Sequence, residues 1–294
     1  MVIMNRLSKE DRIRVIACLC EGNSIRSTVR MTGVAKNTVA KLLVELGAAC
    51  AKYQDRVFRN LNCKRLQADE IWSFVYAKQK NVKPEMVVDG RYAGDSWTWV
   101  AIDADTKLVP CWMIGLRDAS AARDFMEDLA GRLANRVQLT TDGHKAYLTA
   151  VNRAFGNDID YAMLVKIYGA DVEGQKRCSP AECIGCKQHT IKGEPNPEHI
   201  STSFAERQNL TMRMSMRRFT RLTNGFSKKI ENHAAALGLY YMWYNFGRKH
   251  QTLKTTPAVA AGVADHIWSV EEIIGLLEEV EPKATRPARV AISN

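Results

Sequence analysis

Long apolar runs are missing from this sequence. None of its 294 residues belongs to an apolar stretch close to the length of about 20 residues that a bilayer-spanning helix needs. The N-terminus also lacks an apolar signal core followed by a small-residue cleavage site. These absences argue against a membrane protein and against secretion, so we expect a cytoplasmic protein with no membrane partner.

Acidic residues are also in short supply. The chain has 42 Lys and Arg against 32 Asp and Glu, a net charge of +10 and a pI near 9.2. Residues 1–65 contain 13 Lys and Arg but 5 Asp and Glu, and residues 201–230 contain 7 against 1. Two basic segments therefore flank a near-neutral or acidic middle. This favours a polyanionic partner over the alternative of solvated helical surfaces. The hydrophobic content of 46% allows a packed core, and the length favours two domains.

The cysteines show no sign of a disulfide framework. Five of the eight are scattered through helix-like or strand-like segments, namely Cys18, Cys20, Cys50, Cys63 and Cys111. In a reducing compartment such cysteines are usually small buried side chains.

The N-terminal segment has the signals of three short helices. Ser8 is a plausible N-cap for a helix that ends near Cys20, and Ser24 is a plausible cap for a second. Gly33 makes a tight turn before a third helix at residues 36–46. This order predicts a helix-turn-helix arrangement, in which the last helix enters the major groove with its N-terminal residues forward.

The third helix separates into an exposed and a buried side. Its candidate DNA contacts are Lys36, Asn37, Thr38 and Lys41, and its expected core residues are Val39, Leu42 and Leu43. The alternative is a three-helix bundle that binds nothing, but the local positive charge favours DNA.

Strand-like segments follow at residues 66–77, 97–104 and 108–115, and these predict an antiparallel meander. Ser120 can cap the next helix, and residues 137–141 form a buried strand that ends at Asp142. Asp103 and Asp105, after the second strand, are expected to form the turn to the third.

Three acids occupy different settings. Asp69 lies in the strand-like run LQADEIWSFVY, Asp142 follows VQLTT, and Glu206 opens the basic helix-like stretch FAERQNLTMRMSMRRFTR. An acid within an apolar strand is costly unless it is paired or bound to a cation, so converging acids predict a metal site for phosphoryl chemistry. Strand alternation leaves open whether Asp69 or its neighbour Glu70 points at that site.

Glu206 and Arg213 are seven residues apart, close to two helical turns, so they share a face that Arg217 is expected to extend. A carboxylate that holds a cation beside guanidinium groups suits the cutting of a phosphodiester. The alternative is coincidental spacing on a solvated basic helix.

Four stretches carry a resemblance to a known family. They are ADEIWSFV at 68–75, TDGHKAY at 141–147, STSFAERQNLTMRMSMRRFTRLTNGFSKK at 201–229 and YNFGRKHQTLKTTPAVAAG at 244–262. Together with the N-terminal helices, they resemble the DDE transposases of bacterial insertion sequences, most closely the family named after insertion sequence one. A Glu followed seven residues later by Arg is the signature spacing of that family.

The resemblance implies an RNase H-like α/β core, a mixed sheet with flanking helices, preceded by an all-α helix-turn-helix domain. It implies two divalent cations, Mg²⁺ or Mn²⁺, with Asp69, Asp142 and Glu206 as ligands and Arg213 as an active-site partner. It also makes Arg217, Arg218 and Arg221 candidate DNA contacts.

The activity implied is strand cleavage at the element's ends and transfer into target DNA. The partner is double-stranded DNA in the bacterial nucleoid, bound by a homodimer or larger assembly. The alternatives are a DNA-binding regulator or inactive domesticated transposase, and a ribonuclease on the same core.

The expected domains are a helix-turn-helix at 1–50, a helix or linker at 51–65, the catalytic domain at 66–262, and a C-terminal helix with a mobile tail at 263–294. A loop-rich insertion is expected at about 157–200. Within it, Cys178, Cys183, Cys186 and His189 form a C-x4-C-x2-C-x2-H pattern. This pattern matches none of the common zinc spacings, so we expect free cysteines rather than a zinc site.

Overall fold

The computed structural model of the chain describes residues 7–87, 90–169, 183–220 and 224–278. Cys178, Arg221 and the expected tail beyond residue 278 lie outside these ranges. Within the described residues, no helix combines the length and the hydropathy needed to cross a membrane.

Three helices begin the fold: α1 (Lys9–Cys20), α2 (Ile25–Thr32) and α3 (Lys36–Val57). The predicted caps are confirmed, since Ser8 and Ser24 each accept a backbone hydrogen bond of 3.0 Å and Gly33 has a positive φ of 74°. The third helix is longer than expected. It continues through position 50, so much of the 51–65 segment is helical rather than an extended linker.

Six strands form one mixed sheet: β1 (Arg65–Val75), β2 (Gly94–Asp103), β3 (Cys111–Gly115), β4 (Gln138–Thr141), β5 (Asp160–Tyr168) and β6 (Cys183–Lys192). Their order in space is β3-β2-β1-β4-β5-β6. The first three strands make the predicted antiparallel meander, β1 pairs with β4 and β4 with β5 in parallel, and β6 is antiparallel to β5. The expected α/β class, a mixed sheet with flanking helices, is confirmed.

The prediction of a loop-rich segment at 157–200 was wrong for most of the residues that the structure describes there. It contributes β5 and β6, which extend one side of the sheet. The segment DYAMLVKIY contains the apolar run YAMLV together with aromatic and β-branched side chains, so it pairs readily with β4. The Pro and Gly residues of KGEPNPEH come at the end of β6, where they end the strand instead of preventing it.

Helices cover both faces of the sheet. α4 (Ala119–Ala130) and α5 (Ala146–Phe155) lie on one face, where Trp99 contacts Phe125 and Tyr147. α6 (Ser203–Ser215) and α7 (Ile230–Met242) lie on the other, where Trp112 stacks on Tyr241. A π-helical turn (Trp243–Gly247) and the short helices α8 (Pro257–Ala260) and α9 (Val270–Gly275) complete the described chain.

The N-cap of α4 was assigned to the wrong residue. Asp118, not Ser120, caps the helix, because its Oδ1 accepts a hydrogen bond of 2.9 Å from the backbone N–H of Ala121. Ser120 lies inside the first turn, where its hydroxyl accepts from Arg123. A carboxylate is a good acceptor for the free N–H groups at a helix start, which explains the preference.

The N-terminal helices pack directly on the rest of the fold. Gly47 of α3 and Gly238 of α7 cross so closely that a Cβ on either would collide with backbone of the other helix. Gln54 adds a hydrogen bond of 3.0 Å from its Nε2 to the carbonyl of Gly238. The aromatic helix α7 is therefore core, as expected, and its Leu237 and Tyr241 are completely buried.

Candidate functional site

The pairing of β1 with β4 brings two of the predicted acids together. These strands run parallel with Ala68 opposite Thr141, so the next residues, Asp69 and Asp142, lie side by side. One carboxylate oxygen each from Asp69, Glu70 and Asp142 lie within 4.8 Å of one another. The cluster is in the middle of the sheet, at the carboxyl end of β4.

Asp69 and Glu70 approach the cluster from opposite faces of β1. Asp69 faces α6, and its Oδ2 accepts a hydrogen bond of 2.8 Å from Nδ2 of Asn209. Glu70 faces α4 and α5, and its Oε2 accepts one of 3.1 Å from Nε of Arg117. Both carboxylates belong to the cluster, so the positions of the ligand atoms do not choose between Asp69 and Glu70.

Arg117 is a member of the site that sequence reasoning missed. Its Nη2 lies 3.5 Å from Oδ2 of Asp142, so its guanidinium bridges Glu70 and Asp142. The same group lies over the ring of Trp97, 5.0 Å from the centroid. Arg117 follows β3 in the segment GLRDAS. Its sequence signal is weak, since it is a single cation shortly after a strand.

Glu206 does not join the cluster of ligand atoms. Its Oε1 accepts a hydrogen bond of 2.6 Å from the hydroxyl of Thr202, and its Oε2 is ion-paired with Lys166 of β5. Of the three acids that were predicted to converge, Asp69 and Asp142 lie within ligand distance of each other and Glu206 does not. Glu206 is still near, because its charge contributes to raising the pKa of Asp69.

A glutamine of β1 places the helix that carries Glu206. Oε1 of Gln67 accepts hydrogen bonds from the backbone N–H groups of Phe204 (2.8 Å) and Ala205 (3.2 Å) in the first turn of α6. Gln67 and Asp69 are two residues apart in a strand and so share a face. The start of α6 is thus attached to the same face of β1 that presents Asp69.

Burial and neighbouring negative charges raise the pKa values of the carboxylates in the cluster. Burial raises the pKa of Asp69 to about 6, and the neighbouring Asp142 and Glu206 add to this rise. Burial also raises the pKa of Glu70 to about 7.

The carboxylate of Glu70 and the hydroxyl of Tyr147 are buried side by side next to the cluster, and the interaction with Tyr147 offsets part of the rise in the pKa of Glu70. Three carboxylates with oxygen ligand atoms this close together fit a divalent cation such as Mg²⁺ or Mn²⁺.

The basic residues at the end of α6 are arranged differently from the expectation. Arg213 is in the last turn of α6 and is half-buried. The helix ends at Ser215, and Met216 is extended, so the prediction that Arg217 continues the face of Glu206 and Arg213 was wrong.

The guanidinium of Arg218 turns into the fold. Its Nη1 donates a hydrogen bond of 3.2 Å to Ser227, and burial lowers its pKa to about 10. This placement does not suit a direct contact with DNA phosphate, whereas Arg217 is exposed.

The N-terminal candidates lie where the sequence placed them. The exposed residues of α3 include Lys36, Asn37, Thr38 and Lys41, and the buried ones include Val39, Leu42 and Leu43. This confirms the buried side of the helix, while contact with DNA stays a prediction.

The expected turn after β2 is confirmed, since the carboxylate of Asp103 accepts hydrogen bonds from the backbone of Asp105 and Thr106.

In β6, Cys183 and Cys186 are exposed and free, and His189 lies on the same strand. The remaining member of that pattern, Cys178, is outside the described residues.

No protein-family model matches the chain, and no curated protein matches it. The solved structures that match the chain include transposases at low identity. A Mos1 transposase paired-end complex with the left transposon end is 14% identical with a TM-score of 0.23, and the match covers 53% of this chain and 59% of that one, less than two thirds of its length.

A piggyBac transposase synaptic complex with hairpin DNA is 9% identical with a TM-score of 0.37, and covers 92% and 71% of the two chains. A Mos1 strand transfer complex is 13% identical with a TM-score of 0.24, and covers 80% and 77%. Similarity this distant assigns no activity to the present chain.

Proposed function

We propose that this protein is a DDE-type transposase of the bacterial insertion-sequence kind, which cuts DNA at the ends of its element and joins them to target DNA. The observation that carries the proposal is the β1–β4 register, which sets Asp69 beside Asp142 in the middle of the sheet. The strand order and directions are those of an RNase H-like core, and α6 brings Glu206 towards the same acids.

Asp69, Asp142 and Glu206 would hold the metal. Divalent cations bound there would activate a water or 3′-hydroxyl and stabilise the leaving oxygen. For Glu206 to take part, its half-exposed carboxylate must leave Lys166 and the hydroxyl of Thr202. Asp69 is the better first ligand than Glu70, because Glu70 is almost completely buried and held by Arg117.

The chain's own residues supply the positioning. Asn209 orients Asp69 through Oδ2, and Arg117 holds Glu70 and Asp142 at a set distance. Arg213 lies two turns after Glu206 on the same helix, where its guanidinium would contact phosphate near the reacting bond. No side chain has to act as a nucleophile.

DNA recognition is assigned to the exposed start of α3, with Lys36, Asn37, Thr38 and Lys41 as contacts in the major groove. Two DNA ends have to be held together for transfer, so we expect a homodimer or larger assembly on DNA.

A DNA-binding regulator without cleavage activity is the second candidate. The ion pair between Lys166 and Glu206 favours it, since that pair draws the third acid out of ligand distance. Such a protein would bind the same DNA ends but leave them intact.

The deciding experiment is Mg²⁺- or Mn²⁺-dependent cleavage and joining of DNA that carries the element's own ends. Wild type is compared with Glu206→Gln, which removes the ligand charge, and with Glu198→Gln, a matched change at an exposed position before α6. We expect E206Q to bind DNA but not cut it, and E198Q to cut normally. Cleavage by E206Q would remove Glu206 from the ligand set, and binding without cleavage by wild type would establish the regulator.

A further inference from the structure

Residues 247–256 (GRKHQTLKTT) belong to a stretch that carried the family resemblance, yet the proposed chemistry makes no use of them. They form a compact turn rather than a loose loop. His250 donates its backbone N–H to Thr255 (2.8 Å), Lys254 donates to His250 (2.9 Å), and Arg248 donates to Trp243 (2.7 Å). We call this segment the basic turn, and these hydrogen bonds fix the course of its backbone.

The basic turn contacts the C-terminal end of α6. Nη1 of Arg248 donates a hydrogen bond of 3.1 Å to the hydroxyl of Ser215, the last residue of that helix. Arg207, one residue after Glu206, is exposed on the same helix. Burial lowers the pKa of His250, and the charges of Lys107, Arg248 and Arg207 add to the effect, so these cations converge on one half-buried imidazole.

Apart from Lys107, which has Asp103 and Asp105 near it, the cations of this surface lack acidic partners in the described part of the chain. Within the described ranges, no carboxylate lies within 4.0 Å of the charged groups of Arg207, Arg248, Lys249 or Lys254. By contrast, Arg136 and Arg153, on the other side of the chain's core, are each ion-paired with an acid. Exposed cations that are brought together without acids create a positive potential that favours a polyanion.

The surface is continuous with the N-terminal helices. Gly22, in the turn between α1 and α2, packs against the backbone of Ser215 so closely that an added Cβ would lie 2.6 Å from its carbonyl oxygen. Ser215 is thus touched from one side by the turn before α2 and from the other by Arg248. The next helix, α2, presents exposed Arg26 and Arg30.

We propose that the basic turn and Arg207 together bind the sugar-phosphate backbone of duplex DNA, and that they guide the DNA from the N-terminal helices to the acid cluster. The inference rests on the proposed function, because it names how that substrate is held. Lys and Arg contacts to phosphate are independent of base sequence and release counterions, so their contribution depends steeply on salt.

The test is the salt dependence of DNA binding by the double variant Arg207→Gln/Arg248→Gln. Binding is measured by fluorescence anisotropy between about 50 and 200 mM salt, where phosphate contacts change affinity strongly. One duplex carries the element's ends and another is unrelated. We expect weaker binding to both duplexes and a slope of log K against log salt that is smaller by about 2, roughly one for each phosphate contact removed.

Arg153→Gln is the matched control, since it removes an exposed arginine that is ion-paired with Glu127 instead. It is expected to leave the slope unchanged, and thermal melts confirm that all variants fold. A wild-type slope in the double variant, or weaker binding to only one duplex, would overturn the inference. Wild type that binds with a steep slope but never cuts would refute the catalytic proposal and leave this surface intact, so the two failures are distinguishable.

Discussion

Nδ2 of Asn209 donates a hydrogen bond of 2.8 Å to Oδ2 of Asp69. The two residues are 140 positions apart in the chain, and the bond joins α6 to the central strand at the acid cluster. Asn209 is one turn after Glu206, so the helix that carries the third acid also orients the first. The relation between β1 and α6 therefore decides the geometry of the candidate site.

Gln67→Ala tests that relation from the other end of the helix. Removal of the side chain leaves the backbone N–H groups of Phe204 and Ala205 without their acceptor, and we expect a loss of about 1–2 kcal/mol in the free energy of unfolding. Cleavage should fall as well, because Glu206 shifts with α6. Gln138→Ala is the control, since Gln138 makes comparable bonds to the backbone of Asn196 away from the acids. Cleavage by the two variants is compared at urea concentrations that leave the same fraction of each folded. Equal cleavage under these conditions would contradict the positioning role.

Asp69→Asn should reduce metal binding and increase the free energy of unfolding. The folded pKa of about 6 lies above the unfolded value of about 3.9, so the favourable contribution of the protonated form is present below pH 4 and is lost as the pH rises through 6. At pH 8 in EDTA, the neutral side chain should raise the free energy of unfolding by about 1–2 kcal/mol. Wild type should gain thermal stability with Mn²⁺ and the variant should not. A variant that is less stable than wild type in EDTA would disprove the cost of burying the Asp69 charge.

His233 should make the fold sensitive to mild acid. Its ring is fully buried between Ser73 and Ser227, and burial, with the Arg218 charge, lowers its pKa to about 3. The unfolded histidine takes up a proton below about pH 6.5 and the folded one does not, so stability is present above that pH and falls below it. Relative to His233→Gln, wild type should lose about 2 kcal/mol between pH 7 and pH 5 in denaturant titrations. Parallel pH curves for the two proteins would show that the histidine is not the sensor.

Gly238→Ala should separate α7 from α3. The added methyl group would collide with the carbonyl of Gly47. Because this carbonyl is helix backbone, the collision can be relieved only if the two helices move apart. We expect a loss of at least about 2 kcal/mol in the free energy of unfolding. Gly275→Ala in α9 meets nothing within 4 Å and should be neutral or slightly stabilising, which makes it the matched control. Similar melting temperatures for the two variants would mean that the crossing is looser than the structure shows.

The sequence by itself determined the elements whose signals are local. Ser8, Ser24 and Gly33 lie within a few residues of the helix ends that they mark, and the apolar runs of β1 and β4 identify the strands that place Asp69 and Asp142. These signals act through neighbouring backbone groups and through side-chain alternation. They can be interpreted without knowing where the rest of the chain lies.

Only the tertiary structure decided which charges meet. Arg117 is 47 residues from Glu70 and Lys166 is 40 residues from Glu206, so their pairing depends on strand register and on how α6 docks, not on any local pattern. The same holds for β5, which pairs with β4, for β6, which pairs with β5, and for the end of α6 at Ser215. Local composition specifies an element, but contacts between distant elements specify the site, because a hydrogen bond or ion pair forms only where the fold brings both groups within reach.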